Sequence, residues 1–584
     1  MINQLSWKVG GQQGEGIEST GEIFSMALNR KGYYLYGYRH FSSRIKGGHT
    51  NNKIRVSTYD INSISDDLDI LVAFDQETID VNHHELVNGA VVLADSKFTP
   101  KLPEGSTAHL YPVPFTEIAS ELGTSLMKNM VAVGSSAALL GLSSDIFYSV
   151  VEQIFAKKGS SVVEKNMDAI RAGMKYFEES REESLGDYKL QEGDGNNRLF
   201  MIGNDAIALG ALAGGARFMP AYPITPASEI MEYLIKKLPE YGGTVIQTED
   251  EIAACTMAIG ANYTGVRTLT ASSGPGLSLM MEAIGLSGIT EIPLVIVDTQ
   301  RGGPSTGLPT KQEQSDVLAM IHGTHGEIPK VVMAPSSVEE GFYDAVEAFN
   351  IAEEYQVPVI LMTDLALSLG KQSVNQLNYD EIEIRRGKLL NEELPELEKG
   401  QYFSRYEVTP DGISPRPIPG MKNGLHHVTG VEHNEEGKPS ESPLNRQAQM
   451  DKRLRKLNTL KDTFRNPIKK YENHEEADLL VIGINSTRGT IQEMIPRLEK
   501  DGIKVNHGQL RLLHPFPSEE LQSMIDKVKK VVVIENNATG QVRQLVKLNT
   551  NAGEVKSILK YDGNPFLPAE LHKQCKELFS YGNV

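Results

Sequence analysis

The chain has 584 residues, too many for one hydrophobic core, and at roughly 150 residues per domain it divides into three or four compact units. Its 76 acidic residues outweigh 58 basic ones, and the formal net charge of -18, with no long basic run, excludes nucleic acid and anionic membrane as partners. Only two cysteines are present, Cys255 and Cys575, so neither a disulfide framework nor a four-thiolate cluster is within the chain's means, and any iron-sulfur centre sits on a partner.

The opening MINQLSWKVGGQQ lacks the basic start and apolar stretch of a secretion signal, and no window approaches about 18 uninterrupted apolar residues. The expectation is a cytoplasmic protein. A short strand at Trp7 to Val9 enters the glycine-rich turn Gly10 to Gly16, and a helix-period segment runs from Ile17 to Arg30. Further strands at Lys53 to Thr58, Ile70 to Phe74 and Ala90 to Leu93 alternate with helical stretches, the α/β pattern of a mostly parallel sheet. This first domain spans 1–190, and the charged, glycine-containing stretch Arg181 to Arg198 reads as a linker.

A second domain, 199–370, repeats the alternation with strands at Thr244 to Ile246, Arg267 to Thr270, Pro293 to Val297 and Pro358 to Met362. A connector, 371–476, is rich in proline, glycine and charge, and its basic helical stretch Gln447 to Leu460 is expected to be a solvated arm or a partner contact. The last domain, 477–584, is a smaller α/β unit with buried strands at Ala477 to Asn485 and Lys530 to Asn537.

Four segments of the second domain carry candidate chemistry. In YPITPASE, Tyr222 to Glu229, Pro223 and Pro226 fix the backbone and present the Thr225 hydroxyl at a strand-to-helix turn, either as substrate ligand or as a helix N-cap. QTEDEIAACTMAIGA, Gln247 to Ala261, sets Glu249, Asp250 and Glu251 at the entry of a small-residue helix. Such acids serve as dipole partners or, beside residues small enough for a flat cofactor to approach, as functional groups. SSGPG, Ser272 to Gly276, brings backbone amides of Ser273 and Gly274 within reach of a ligand. The glycine-proline loop of Asp298 to Asp316 gathers Arg301, Ser305, Thr306, Thr310 and Lys311 at the carboxyl end of a parallel strand, where ligands bind in open α/β sheets, with Arg301 suited to a forked grip on a carboxylate.

In this order, YPITP, EDEIA, SSGPG and QRGGPSTGLPT resemble the α subunit of 2-oxoacid:ferredoxin oxidoreductases, and GGQQGEG with SSRIKGGHTNNKIRVS (Ser42 to Ser57, GHTN and Arg55 above all) resembles that family's γ-type domain. VTGVEHNEEG, RLLHPFP and ENNATGQ match the connector and last domain, so the resemblance covers nearly the whole chain. It implies three α/β domains with mostly parallel sheets: γ-type, thiamine-pyrimidine-binding and transketolase C-terminal-like. It implies thiamine diphosphate shared with a β subunit, Mg2+ and a [4Fe-4S] cluster on that partner, coenzyme A as a substrate, ferredoxin as electron acceptor, a 2-oxoacid of the 2-oxoglutarate type, and an αβ or (αβ)2 assembly. No metal is assigned to this chain.

By the same resemblance Glu251, with Glu249 as the alternative, protonates the pyrimidine ring; Thr225 and Arg301 hold the substrate, with Ser305 and Thr306 nearby; and Tyr222, Pro223, Ser273 and Gly274 border the cofactor. For Gly11, Gly14 and Gly16, approach to coenzyme A and a mere domain contact stand as equal readings, since the spacing is not G-x-G-x-x-G. GDGNN, Gly193 to Asn197, has the letters of a metal-diphosphate motif but not its separation, and His426, His427, His433 and Glu435 read as loop residues rather than metal ligands. Pyruvate or another 2-oxoacid as substrate, a transketolase or carboligase half without ferredoxin, and a non-catalytic coenzyme A or nucleotide-binding protein are the alternatives.

Overall fold

A computed structural model describes residues 1–41, 48–181 and 188–580. Ser42 to Gly47 of the γ-type segment and residues 182–187 of the expected linker lie outside the described residues. By contacts the chain falls into two units, one of Met1–Met201 with Leu369–Leu377 and Leu567–Glu570, the other holding the remainder.

The first unit is built on an eight-stranded sheet in which strands His109–Val113, Leu86–Asp95, Leu68–Ala73 and Gln4–Gln12 run parallel. From Gln4–Gln12 outward, His49–Ser57, Tyr34–His40 and Lys371–Val374 add in antiparallel register. The sheet is therefore mixed, parallel on one side of Gln4–Gln12 and antiparallel on the other. Trp7 stacks on Phe24 of the helix Ile17–Arg30 at 4.4 Å between ring centroids, fixing helix to sheet. Two further helices, Lys128–Leu139 and Ser160–Ser180, cross backbone to backbone at Gly134 and Gly173. A β-carbon on either would come within 2.1 Å of a carbonyl oxygen of the other helix.

The second unit contains two five-stranded sheets. In the first, Leu269–Ser272, Leu294–Gln300, Pro358–Asp364 and Val331–Met333 are parallel, and Leu512–His514, from the far end of the chain, joins Val331–Met333 antiparallel. In the second, Val505–Leu510, Ala477–Gly483, Val528–Glu535 and Val555–Leu559 are parallel with Ile468–Tyr471 antiparallel at the edge. One apolar cluster runs from Cys255 and Ile296 to Leu480 and Val533, so the two sheets share a core.

The basic stretch near Gln447 to Leu460 departs from expectation. It lies in the helix Pro443–Thr463, whose Lys452 and Lys456 side chains are wholly buried and meet the equally buried Glu291 at 2.7 and 2.5 Å. It is not a solvated arm: spacing four apart places both lysines on one face, and a single carboxylate on the opposing element draws that face inward.

Candidate functional site

The strands Phe218–Ala221 and Leu294–Gln300 deliver two loops whose backbones are held together by one side chain. Arg301 donates from Nη1 to the Thr225 carbonyl at 2.6 Å and from Nη2 to the Thr306 carbonyl at 3.2 Å. Arg301 is 6% exposed as a residue, and its Nε finds no hydrogen-bond partner among the described residues. Burial lowers its proton affinity, and Asp316 opposes that effect. The arrangement is a cation seated on carbonyls, with no carboxylate hydrogen-bonded to it among the described residues, which leaves it competent to receive one from a ligand.

Around Arg301 the loops sort by exposure. Thr225 is half-buried; Tyr222, Pro223, Ser305 and Thr306 are exposed, and Ser305 adopts φ 59°, a left-handed conformation uncommon outside glycine. Thr225 is not the helix cap. The helix Ser228–Lys237 has Ala227 at its cap position, and Pro226 instead offers its carbonyl to Asn204 Nδ2 at 2.6 Å.

The acidic triplet is divided by the start of the helix Glu251–Tyr263. Asp250 is the N-cap, accepting from the Ala253 amide at 2.7 Å; Glu249 precedes the helix and is exposed; Glu251 occupies its first turn and is 5% exposed. The Glu251 carboxylate lies against Gly276: a β-carbon there would come 2.6 Å from Glu251 Oε1 and 2.0 Å from Ser272 Oγ. Ser272 Oγ and Ser273 Oγ are buried and find no partner among the described residues. Ser273 sits at the cap position of the helix Gly274–Thr290 without capping it. A buried carboxylate bordered by orphaned hydroxyls and by glycine is a donor set that fits the edge of a flat nitrogen heterocycle.

Behind this edge lie residues that motif reading passed over. Asp298 is buried and Asp316 half-buried with its Oδ2 out of water, and Gly274 rests on the Asp316 carboxyl, where a β-carbon would come 2.8 Å from Oδ2. Asp298 follows the apolar run IPLVIV, Ile292 to Val297, inside a buried strand, and a lone acid there was the available signal.

In the first unit, Gly16 is a left-handed cap with Asn129 Nδ2 2.0 Å from where its β-carbon would stand, Gly11 faces Glu15 and Ile17, and Gly14, at φ 99°, faces open space. Arg55 is buried, donating to the Ser63 carbonyl and to Gln4. Asp194 of GDGNN is engaged by Arg198 and by the Asn196 amide, so its charge serves a turn. His433 stacks on Tyr406 and meets the Val431 carbonyl, His426 meets the Gly424 carbonyl, and Glu435 accepts from the Val408 amide. No group of three or more His, Cys, Asp or Glu suited to a metal occurs among the described residues.

Parallel sheets, a cation seated where two strand ends meet and a buried carboxylate opposite orphaned hydroxyls define a cofactor-binding α/β protein. Residues 209–452 match the family described as pyruvate flavodoxin/ferredoxin oxidoreductase, thiamine diphosphate-binding; residues 6–176 match pyruvate ferredoxin/flavodoxin oxidoreductase; and residues 477–571 match pyruvate:ferredoxin oxidoreductase core domain II. A 2-oxoacid:ferredoxin oxidoreductase subunit alpha from Sulfolobus is 34% identical over 99% of this chain and 98% of its own, and a 2-oxoglutarate oxidoreductase subunit KorA from Mycobacterium tuberculosis is 31% identical over 96% and 89%. The solved structure of a 2-oxoglutarate:ferredoxin oxidoreductase from Magnetococcus marinus, with 2-oxoglutarate, coenzyme A and succinyl-CoA bound, superposes at a TM-score of 0.92, with 34% identity over 99% of this chain and all of that one. The chain belongs to the 2-oxoacid:ferredoxin oxidoreductase α-subunit family, and is a subunit of an oxidoreductase.

Proposed function

We propose that the chain is the α subunit of a 2-oxoglutarate:ferredoxin oxidoreductase, converting the 2-oxoacid to its acyl-CoA with electrons leaving through a partner's [4Fe-4S] cluster to ferredoxin. The observation that carries this is Arg301, a buried cation with no carboxylate hydrogen-bonded to it among the described residues, in the same unit as the buried Glu251 and the orphaned Ser272 hydroxyl. Full-length likeness to an enzyme solved with 2-oxoglutarate and coenzyme A bound supports the substrate class.

Thiamine diphosphate, with its diphosphate and Mg2+ on a β subunit, would supply the carbanion that attacks the keto carbon. Toward it this chain would contribute Glu251, facing the pyrimidine edge as proton donor, and Ser273, Gly274, Tyr222 and Pro223 would help to hold the ring. The exposure of Glu249 makes it the weaker alternative. Arg301 takes the substrate carboxylate, fixed in direction by Thr225 and Thr306, with Ser305 at the rim. Gly14, open on its own side, is the point of the glycine loop left for coenzyme A, whereas Gly11 and Gly16 shape internal contacts.

The exposed Ile252, Met257 and Leu279, with Gly260 and Gly285 facing open space, suit close approach of the β subunit, in an αβ or (αβ)2 assembly. A division into 1–190, 199–370 and 477–584 with connector 371–476 fits the three matched segments, although the middle match extends through much of the connector. No described helix is long and apolar enough to cross a membrane, and a cytoplasmic location belongs to the proposal.

The test is co-expression with the cysteine-containing partner and assay of 2-oxoglutarate and pyruvate with coenzyme A and a low-potential dye. Oxidation that needs both chains and falls at least about 100-fold in Glu251→Gln while the complex still assembles supports the reading, and the rate ratio names the oxoacid. Full activity in that variant removes Glu251 from the role, and no reaction with any oxoacid overturns the function.

A further inference from the structure

The interior behind Arg301 holds more acid than its hydrogen bonds account for. Asp298 lies in the strand Leu294–Gln300, two residues before its end and fully buried, with neither carboxyl oxygen hydrogen-bonded to a described residue, and Asp316 Oδ2 is likewise unpartnered among the described residues. The parallel register Ser272↔Asp298 puts the orphaned Ser272 hydroxyl on the same sheet face as the Asp298 side chain. Gly274 closes over Asp316. Around the pair, the charged groups are Arg301 at the end of the same strand, half-buried Glu313 on the loop, and Glu251 two residues along the turn, at Gly276.

Three of these groups form the centre of the region, the Arg301 guanidinium and the two aspartate carboxyls, with Glu313 and Glu251 at its edge. With a single proton on the aspartate pair these three groups sum to zero; with none they carry a net negative charge, and an arriving carboxylate on Arg301 adds another in either case. Burial penalises each uncompensated charge heavily, whereas a proton taken from solvent removes it. The guanidinium is not hydrogen-bonded to Asp316, so the incoming anion displaces no ion-pair contact and acts on the pair through charge alone.

We infer that Asp298 and Asp316 are a proton-holding couple that compensates the substrate's charge, taking up a proton when an anion binds Arg301 and returning it when the anion leaves. Asp298, the more enclosed, keeps its proton throughout; Asp316, facing Arg301, is the member that changes state. Burial, with Glu313 adding to it and Arg301 opposing it, pushes Asp316 up to about 6, so near neutral pH the free site has it mostly ionised and ready to protonate. The two residues are positioning groups, acting on the substrate through Arg301.

The inference rests on the proposed function, and one pH series separates the two. In the assembled holoenzyme, KM for 2-oxoglutarate is expected to rise by about threefold or more per pH unit between 6.5 and 8, the consequence of taking up about half a proton or more per anion, with kcat following its own profile. Asp316→Asn, which mimics the protonated couple, should make KM independent of pH over that range. Asp298→Asn, which preserves a neutral partner, and Glu313→Gln should both keep the slope. A merely structural role would lower kcat and thermal stability without removing the slope. Should Asp316→Asn fail to assemble, the wild-type slope and its survival in Glu313→Gln still decide. Turnover with a flat KM, a slope that survives in Asp316→Asn, or one abolished by Glu313→Gln overturns the couple while leaving the function intact. Absence of turnover of any 2-oxoacid overturns both.

Discussion

Lys452 and Glu291 face each other at 2.7 Å with both side chains fully out of water, and Lys456 closes on the same carboxylate from one helical turn away. Arg405 adds a bond to the Glu291 carbonyl, and together the three cations hold the Glu291 carboxyl far below the usual carboxylate range despite its burial. Two lysines on one carboxylate leave an excess positive charge, spread over the Tyr406, Gln356 and Ser414 oxygens that the ammonium groups also reach. Glu291→Gln therefore strands two buried ammonium groups and should cost about 3–5 kcal/mol, read as a lowered midpoint of denaturant unfolding. Replacing Glu291 and both lysines together by apolar residues of similar size should recover most of that loss, because no unpaired charge remains.

Glu85 sits between Lys8 and Lys53 in the first unit, bonded to both, and the two ammonium groups bring its carboxyl down to about 2 against the opposing effect of burial. A carboxyl lowered on folding stabilises the protein above its unfolded value of about 4.3, and that contribution is lost as pH falls from there toward 2. The chain's one tryptophan, Trp7, is buried next to Lys8, so its fluorescence reports this unit alone. The Trp7 unfolding midpoint should decline across that window in the wild type and much less in Glu85→Gln, which starts lower at pH 7 by about 3 kcal/mol.

How much of this was legible differs by element. The helix Ile17–Arg30 is observed at the bounds its periodicity implies, and the strand runs of the second and third domains fall within a few residues of their expected positions, because a parallel strand buried on both faces needs a continuous apolar run. In the antiparallel half of the first sheet only His49–Ser57 was legible, through the expected run Lys53 to Thr58; Tyr34–His40 carries aromatic and basic residues, and Lys371–Val374 is four residues long. Their place follows from pairing with distant strands, which local composition does not encode. Arg301 stood out because a cation in a glycine-proline loop is conspicuous. Its bonds to the carbonyls of Thr225 and Thr306 did not, since carbonyls are the same in every residue. The burial of Lys452 and Lys456 was hidden for the converse reason: the partner that reverses their usual exposure lies more than 160 positions away.

Gly276 gives a steric test of the Glu251 assignment. A methyl group there would overlap Ser272 Oγ and press on the Glu251 carboxylate, both side chains of an otherwise rigid edge. Gly276→Ala should lower kcat by about tenfold or more with little change in KM for the 2-oxoacid, since Arg301 is untouched. Steady-state kinetics on the assembled enzyme checks this; equal losses in kcat and affinity would mean that Glu251 and Arg301 do not serve separate steps.

Arg301→Lys separates charge from geometry. The lysine keeps the positive charge but has one donor centre where the guanidinium has two prongs, so it cannot hold the Thr225 and Thr306 carbonyls and still present a planar fork to a carboxylate. Losing those bonds frees both loops as well as the substrate grip, and kcat/KM should fall by about 100-fold, a change of about 2.7 kcal/mol. If charge alone attracted the anion, the loss would be only a few-fold and would grow with ionic strength, as screening weakens an unpaired charge. A loss that is large and insensitive to salt between 0.05 and 0.5 M is the expected result, because what Arg301 contributes is direction inside a buried site rather than attraction from solvent.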